Sequence, residues 1–278
     1  MNYEYLFKKE DYKVTIFHKL EFFFRGAIYS YKSLFAWLVP KVYILTKVIG
    51  PIFQILFFTF LGQYYAKELG REFFIIGNAV QISALSSING VAMTIVSERT
   101  EGTLLQLLGT PASRARIFVS RSLMHIIDGL LTVIIGFIFS YLFLGISFKN
   151  TNYILLVVTL LIAVFSTSGL GMLIGSIGLA IREINLLSNL TYFILLIFCG
   201  INYPVTNLPS FMQGISNLLP LTKGVEAVRM ILQGANFTTV APYLYHEIII
   251  GVFYTLIGLI LFKCLDYYSR YSGTLDFD

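Results

Sequence analysis

Charge is scarce in this sequence. Asp, Glu, Lys and Arg make up 13% of its 278 residues, about half the ~25% usual in a soluble domain. Apolar residues make up 56% and mean hydropathy is +0.77, which excludes a water-soluble globular domain. Cysteine is nearly absent too. Cys199 and Cys264 are too few for a disulfide framework, and the spans assigned below put them at opposite membrane faces, out of bonding reach. The three histidines, His18, His125 and His246, fall in separate regions. With no HExxH and no Cys/His cluster, neither a zinc site nor a catalytic triad is expected. No GxxxxGK[ST] loop occurs, which excludes nucleotide binding by that device. The pI near 9.1 comes without any nucleic-acid motif, so nucleic acid is not an expected partner and the basic residues answer to topology and anionic lipid. A signal peptide is not expected, because no apolar core follows the first charges.

What the sequence has is long apolar runs. Residues 1–41 carry mixed charge, and within them Leu20 to Leu38 (LEFFFRGAIYSYKSLFAWL) is aromatic and interrupted by Arg25 and Lys32, as suits a helix lying in the membrane interface. Residues 42–278 are expected to form the transmembrane domain. The spans predicted are Val42–Leu61, Phe73–Val96, Ser122–Leu144, Tyr153–Ile181, Asn185–Ile201 and Leu244–Leu265, judged against the ~20 apolar residues that a bilayer requires. Gly50-Pro51 predicts a kink in the first. Ala79, Ser83 and Ser87, Ser86 and Gly90, and Gly171 and Gly175 recur every four residues, a spacing that lets helices approach closely. Asn202 to Tyr243, with Pro204, Pro209, Pro220 and Pro242, is too broken to span and too apolar for a plain loop. One or two re-entrant or interfacial helices are expected there. The fold class is therefore an all-α integral membrane protein: six transmembrane helices, an N-terminal interfacial amphipathic helix, and broken helices between the fifth and sixth spans.

Six spans put both termini on one side, with the 97–121 loop. That side takes Lys8, Lys9, Lys13, Lys19, Arg25, Lys32, Lys41, Lys47, Arg99, Arg114, Arg116, Arg121, Arg182, Lys263 and Arg270; the other takes only Lys67, Arg71, Lys149, Lys223 and Arg229. The positive-inside rule makes the richer side cytoplasmic. Few charges fall within spans. Lys47 can snorkel to the inner surface. His125 and Asp128, three residues apart, read as a hydrogen-bonded pair at headgroup level, with a proton relay as the functional alternative. Glu226 and Arg229 read as an ion pair on a partly solvated helix, and Glu247 as an interfacial residue.

The stretch Ser97 to Arg121 (SERTEGTLLQLLGTPASRARIFVSR) joins two apolar runs. Thr103 and Gln106 have capping-box spacing, and Leu104, Leu105, Leu107 and Leu108 fall on one side of a two-turn helix. Gly109 suits a helix stop, and Thr110-Pro111 a fresh start. Such a helix is too short to stand alone, so its leucines bury against lipid or a soluble partner.

These residues also carry a resemblance. Ser-Glu-Arg-Thr-Glu-Gly-Thr-Leu-Leu-Gln-Leu-Leu-Gly-Thr-Pro, residues 97–111, resembles the signature after the second span of type-2 ABC exporter permeases. Gly200 to Pro209 (GINYPVTNLP) and Pro220 to Arg229 (PLTKGVEAVR) are similar to that family's segments after its fifth span. The likeness is strongest to the drug and lipo-oligosaccharide exporter branch. It implies a multi-pass permease of a bacterial plasma membrane that pairs with a second permease subunit, identical or paralogous, and with two cytoplasmic ATPases. ATP and magnesium would be bound by the ATPases, with no cofactor and no catalysis in this chain. It further implies a coupling helix at about Thr103 to Leu108. Leu104, Leu105, Leu107 and Leu108 would supply buried contact, while Glu98, Arg99 and Glu101 set register, and Gly102, Thr103, Thr110 and Pro111 shape the turn. The 20–38 helix would be a connector, and the substrate path would be lined by the second and fifth spans, with Asn78, Gln81, Ser83, Asn89, Asn189, Tyr192 and Phe193 as candidates. The expected cargo is amphipathic or lipid-linked, moved outward. A different class of reading is a proton-coupled transporter or intramembrane enzyme built on His125 and Asp128.

Overall fold

A computed structural model describes residues 25–26, 28–29, 44–100, 114–181 and 183–272. Every regular element among the described residues is helical. A π-helical turn, Leu45–Ile49, leads into α1, Gly50–Tyr65. The kink expected at Gly50-Pro51 takes this form: Gly50 N–H bonds to the Leu45 carbonyl, and Pro51, which has no N–H to give, occupies the first turn of the helix that follows. After a 3-10 turn at Lys67–Leu69 come α2, Arg71–Thr100, and α3, Arg114–Leu144. Both run further toward the 101–113 segment than the expected spans. α4, Tyr153–Ile177, is N-capped by Asn152, whose side chain accepts from Leu155 N–H at 3.1 Å. α5, Ile184–Phe198, has 15 residues, about 22 Å of helix, and is shorter than the span predicted for it.

The 202–243 region folds as two short helices, α6, Ser210–Leu218, and α7, Thr222–Leu232. α8, Phe237–Ser272, then starts earlier than expected and carries Pro242 near its beginning. Five helices among the described residues are long and apolar enough to cross a membrane, and α5 is the shorter apolar one. The chain is a multi-pass membrane protein. Thr100, Arg114 and Ile181 lie at one end of the bundle, called the loop end below, and Gly70, Gly145 and Cys199 at the far end.

α2 is the centre, packed against α1, α3, α4, α5 and α7. Lipid tails are as apolar as leucine, so the helices are held by close fit and cross-helix hydrogen bonds. The small-residue faces supply the fit. A Cβ on Gly171 would stand 3.1 Å from the Ile88 Cα, and one on Gly175 3.1 Å from the Ala92 Cα. Ser87 Oγ meets Thr167 Oγ1 at 2.8 Å. α4 and α8 pack just as closely through Gly169, Gly251 and Gly258, and Ser176 Oγ donates to the Gly258 carbonyl at 2.8 Å. Of the cysteines, Cys199 is buried and Cys264 exposed, and both are free thiols.

Candidate functional site

The coupling residues divide at the edge of the described structure. Glu98 and Arg99 belong by backbone to the last turn of α2, while Glu101, Gly102, Thr103, Leu104, Leu105, Leu107, Leu108, Thr110 and Pro111 lie outside the described residues. What is described is the mount. α2 has 30 residues and α3 has 31, each about 45 Å long, against a hydrocarbon core of ~30 Å. The two pack against one another as a hairpin, and their ends at Thr100 and Arg114 bracket the 101–113 segment.

Near mid-length of that hairpin sits a charge cluster. Lys47, in the π-helical turn, places Nζ 2.5 Å from Asp128 Oδ2 on α3 and donates to Ser86 Oγ on α2 at 2.6 Å. Ser86 Oγ donates to the same carboxylate oxygen at 2.6 Å, and Thr132 Oγ1 approaches Ser86 Oγ at 3.4 Å. Asp128 is 1% exposed and Lys47 19%. Two expectations are corrected here. α3 begins eight residues before its predicted start, which moves Asp128 from headgroup level to mid-helix. Lys47 does not snorkel to the surface, because a carboxylate inside the bundle attracts it more strongly than a distant interface. His125 packs its buried ring against Gly90, where only a residue without a Cβ leaves room. The relay partner assigned to it, Asp128, is held by Lys47.

The proposed path residues separate into two groups. Asn78, Gln81 and Ser83 are fully buried and Tyr192 nearly so. Asn78 donates to Asn202 Oδ1 at 2.8 Å, and Gln81 to the Tyr192 carbonyl at 3.2 Å, forming a polar seam between α2 and α5 with the turn that follows it. Ser83 instead donates to its own Val80 carbonyl and stands against Gly129 of α3. Asn89 is half-buried, whereas Asn189 and Phe193 are exposed on the outer face of α5. A separate cavity of about 390 Å³ opens at the far end beside Arg71, Phe73 and Arg229.

Two further expectations change. Glu226 pairs with Lys223 at 2.9 Å, and Arg229 does not share that bridge. Its guanidinium lies 3.5 Å from the Phe73 ring centre and donates to the carbonyls of Phe73, Gly200 and Ile201 at 2.7 to 3.0 Å, tying α7 to the start of α2 and the turn after α5. Burial lowers the Arg229 pKa to about 9, while the nearby Glu226 carboxylate raises it, and the group stays charged at neutral pH.

Glu247 is not interfacial: it is 1% exposed. Its carboxylate accepts from Leu221 N–H at 2.5 Å, Gly224 N–H at 3.0 Å and Ser166 Oγ, so α8 caps the N-terminus of α7 from outside. Leu221 is held there at φ +80°, the one non-glycine with positive φ among the described residues. A sequence signal existed. Glu247, Gly251, Thr255 and Gly258 share one helical face, and a small-residue stripe in line with a carboxylate marks the side that meets another helix.

Among the described residues no group of His, Cys, Asp and Glu could hold a metal ion. A family model described as ABC-2 type transporter matches residues 26–232, well over half of the chain. Among curated proteins none matches.

Proposed function

The chain belongs to the ABC-2 type transporter family and is the membrane permease subunit of an ABC transporter, and on that premise we propose that it drives export. Two cytoplasmic ATPases dock on the 101–113 segment, with Leu104, Leu105, Leu107 and Leu108 buried in the ATPase surface and Glu98, Arg99 and Glu101 fixing register as rim charges do. The observation that carries this is the α2–α3 hairpin. Two packed helices longer than the hydrocarbon core make a lever with the segment at its end, and a push there moves both helices as one body. The termini and the loop end are assigned to the cytoplasm by the excess of Lys and Arg on that side.

A second permease subunit, identical or paralogous, completes the path. Asn189 and Phe193 face outward from α5 toward the partner or lipid, and the seam of Asn78, Gln81 and Tyr192, buried within the chain, holds that wall against α2. The cargo is amphipathic or lipid-linked, in keeping with walls that are aromatic and aliphatic with few charges. ATP and magnesium are bound in the ATPase chains.

The test is co-purification with the ABC ATPase subunit of the same transporter. Wild type retains the ATPase, and L104E/L108E loses it while eluting as a folded permease. Equal retention by both would remove the coupling role of 101–113.

A further inference from the structure

The Lys47–Asp128–Ser86 cluster joins three helices at one carboxylate, and the helix it adds to the hairpin is the one least secured otherwise. α1 is the least buried of the five long apolar helices and turns Phe53, Phe57, Phe60 and Tyr64 outward. Its main packing partner is α2. Lys47 lies in the middle of the π-helical turn, and Gly50 and Pro51 follow directly. A π turn is a poor continuation of an α-helix and recurs where helices do work, and Pro51 cannot donate across the junction. The backbone between Lys47 and Gly50, where the π turn passes into α1, is therefore the compliant point of this span. The segment before it is anchored through the lysine ammonium rather than through the helix itself. Ser86 and Asp128 stand at matching heights, each about 21 Å along its helix from the ends that bracket 101–113.

We propose that Lys47 and Asp128 are positioning residues for transport: their ion pair makes the loop-side end of α1 follow the α2–α3 hairpin when the ATPases close. Ser86 orients the carboxylate and belongs to the same tie. Asp128 is closed off by its neighbours and Lys47 is only partly exposed, so in our proposal the pair stays bound through the stroke and the joint at Gly50 takes up the difference. The proposal rests on the reading of 101–113 as the ATPase docking segment, and its test separates the two.

The experiment measures distances by spin labelling in the assembled permease–ATPase complex in lipid nanodiscs, nucleotide-free and with ATP bound to a hydrolysis-deficient ATPase. Cys264 is replaced by serine, and buried Cys199 is kept. One label pair joins α1 to α8 (Leu45→Cys with Tyr267→Cys), the other α3 to α8 (Leu131→Cys with Tyr267→Cys); all three positions are exposed. In wild type, ATP shifts both distances. In K47M/D128L, which removes both charges and leaves none buried alone, the α3 shift persists and the α1 shift is lost. The charge-reversed pair K47D/D128K restores the α1 shift. An α1 shift that survives in K47M/D128L overturns the proposal, as does a folded K47D/D128K that fails to restore it. If ATP binds and neither distance moves in wild type, the docking reading falls, and the proposal with it.

Discussion

Glu247 is the residue on which the far end depends. Its carboxylate serves two backbone N–H groups and a hydroxyl in a site closed to water, and each orphaned buried donor costs about 1–3 kcal/mol. E247A is therefore expected to destabilise the permease by at least about 2 kcal/mol, read as a lower midpoint of thermal unfolding in detergent. E247Q, which keeps one accepting oxygen and sets an amide NH2 against the other donor, falls between it and wild type. An E247A protein that melts with wild type would remove the cap from the account. Leu221 poses a question of sign. Glycine at φ +80° would relieve roughly 1–2 kcal/mol of backbone strain, but the leucine side chain is fully buried, and deleting such a side chain costs about 2–5 kcal/mol. Burial wins, so L221G is expected to melt lower than wild type; a rise in the midpoint would show that strain dominates.

Among elements, the α2–α4 contact is the tightest test of packing. At Gly175 an added Cβ meets the Ala92 Cα at 3.1 Å and the carbonyl oxygens of Ala92 and Val91 at 3.2 Å. These are backbone atoms that move only if a whole helix moves. G175L should push α4 off α2 and abolish the monodisperse peak in fluorescence-detected size-exclusion chromatography. G214L, on α6 with nothing within 4 Å, should elute like wild type. Equal behaviour of the two would contradict the packing. The α4–α8 contact should be softer at its hydrogen bond: S176A loses the donation to Gly258, and such bonds in membranes average about 0.6 kcal/mol.

At the scale of the whole molecule, the proposed orientation rests on the uneven distribution of Lys and Arg along the sequence. A membrane-impermeant maleimide should label Tyr267→Cys, in a C264S background, in inside-out vesicles alone, and Ser147→Cys in right-side-out vesicles alone. Both positions are exposed, at opposite ends of the bundle. The reverse pattern would invert the topology and place 101–113 out of reach of any cytoplasmic ATPase. Cys199, fully buried beneath Pro220, should react only after unfolding.

Properties set by local chemistry were legible before any fold was known. Scarce charge and long apolar runs placed the chain in a membrane. Small residues every fourth position marked close helix contacts, Gly171 and Gly175 of α4 against α2 and Ala79, Ser83 and Gly90 of α2 against α3, and the prolines after α5 marked a region that could not span. Helix ends were less legible, because α2 and α3 continue through polar residues once a packed neighbour supports them. Side-chain partners were the least legible. Three-residue spacing suggested His125 with Asp128 and Glu226 with Arg229; it gave no sign of Lys47, 81 positions from Asp128 in sequence and bound to it, nor of the carbonyls of α2 and of the turn after α5 that Arg229 holds. Spacing on one helix determines which groups share a face; only the tertiary structure decides what that face meets. Inside a bundle without water, a buried charge goes to whichever opposite charge or backbone dipole the packing brings within reach.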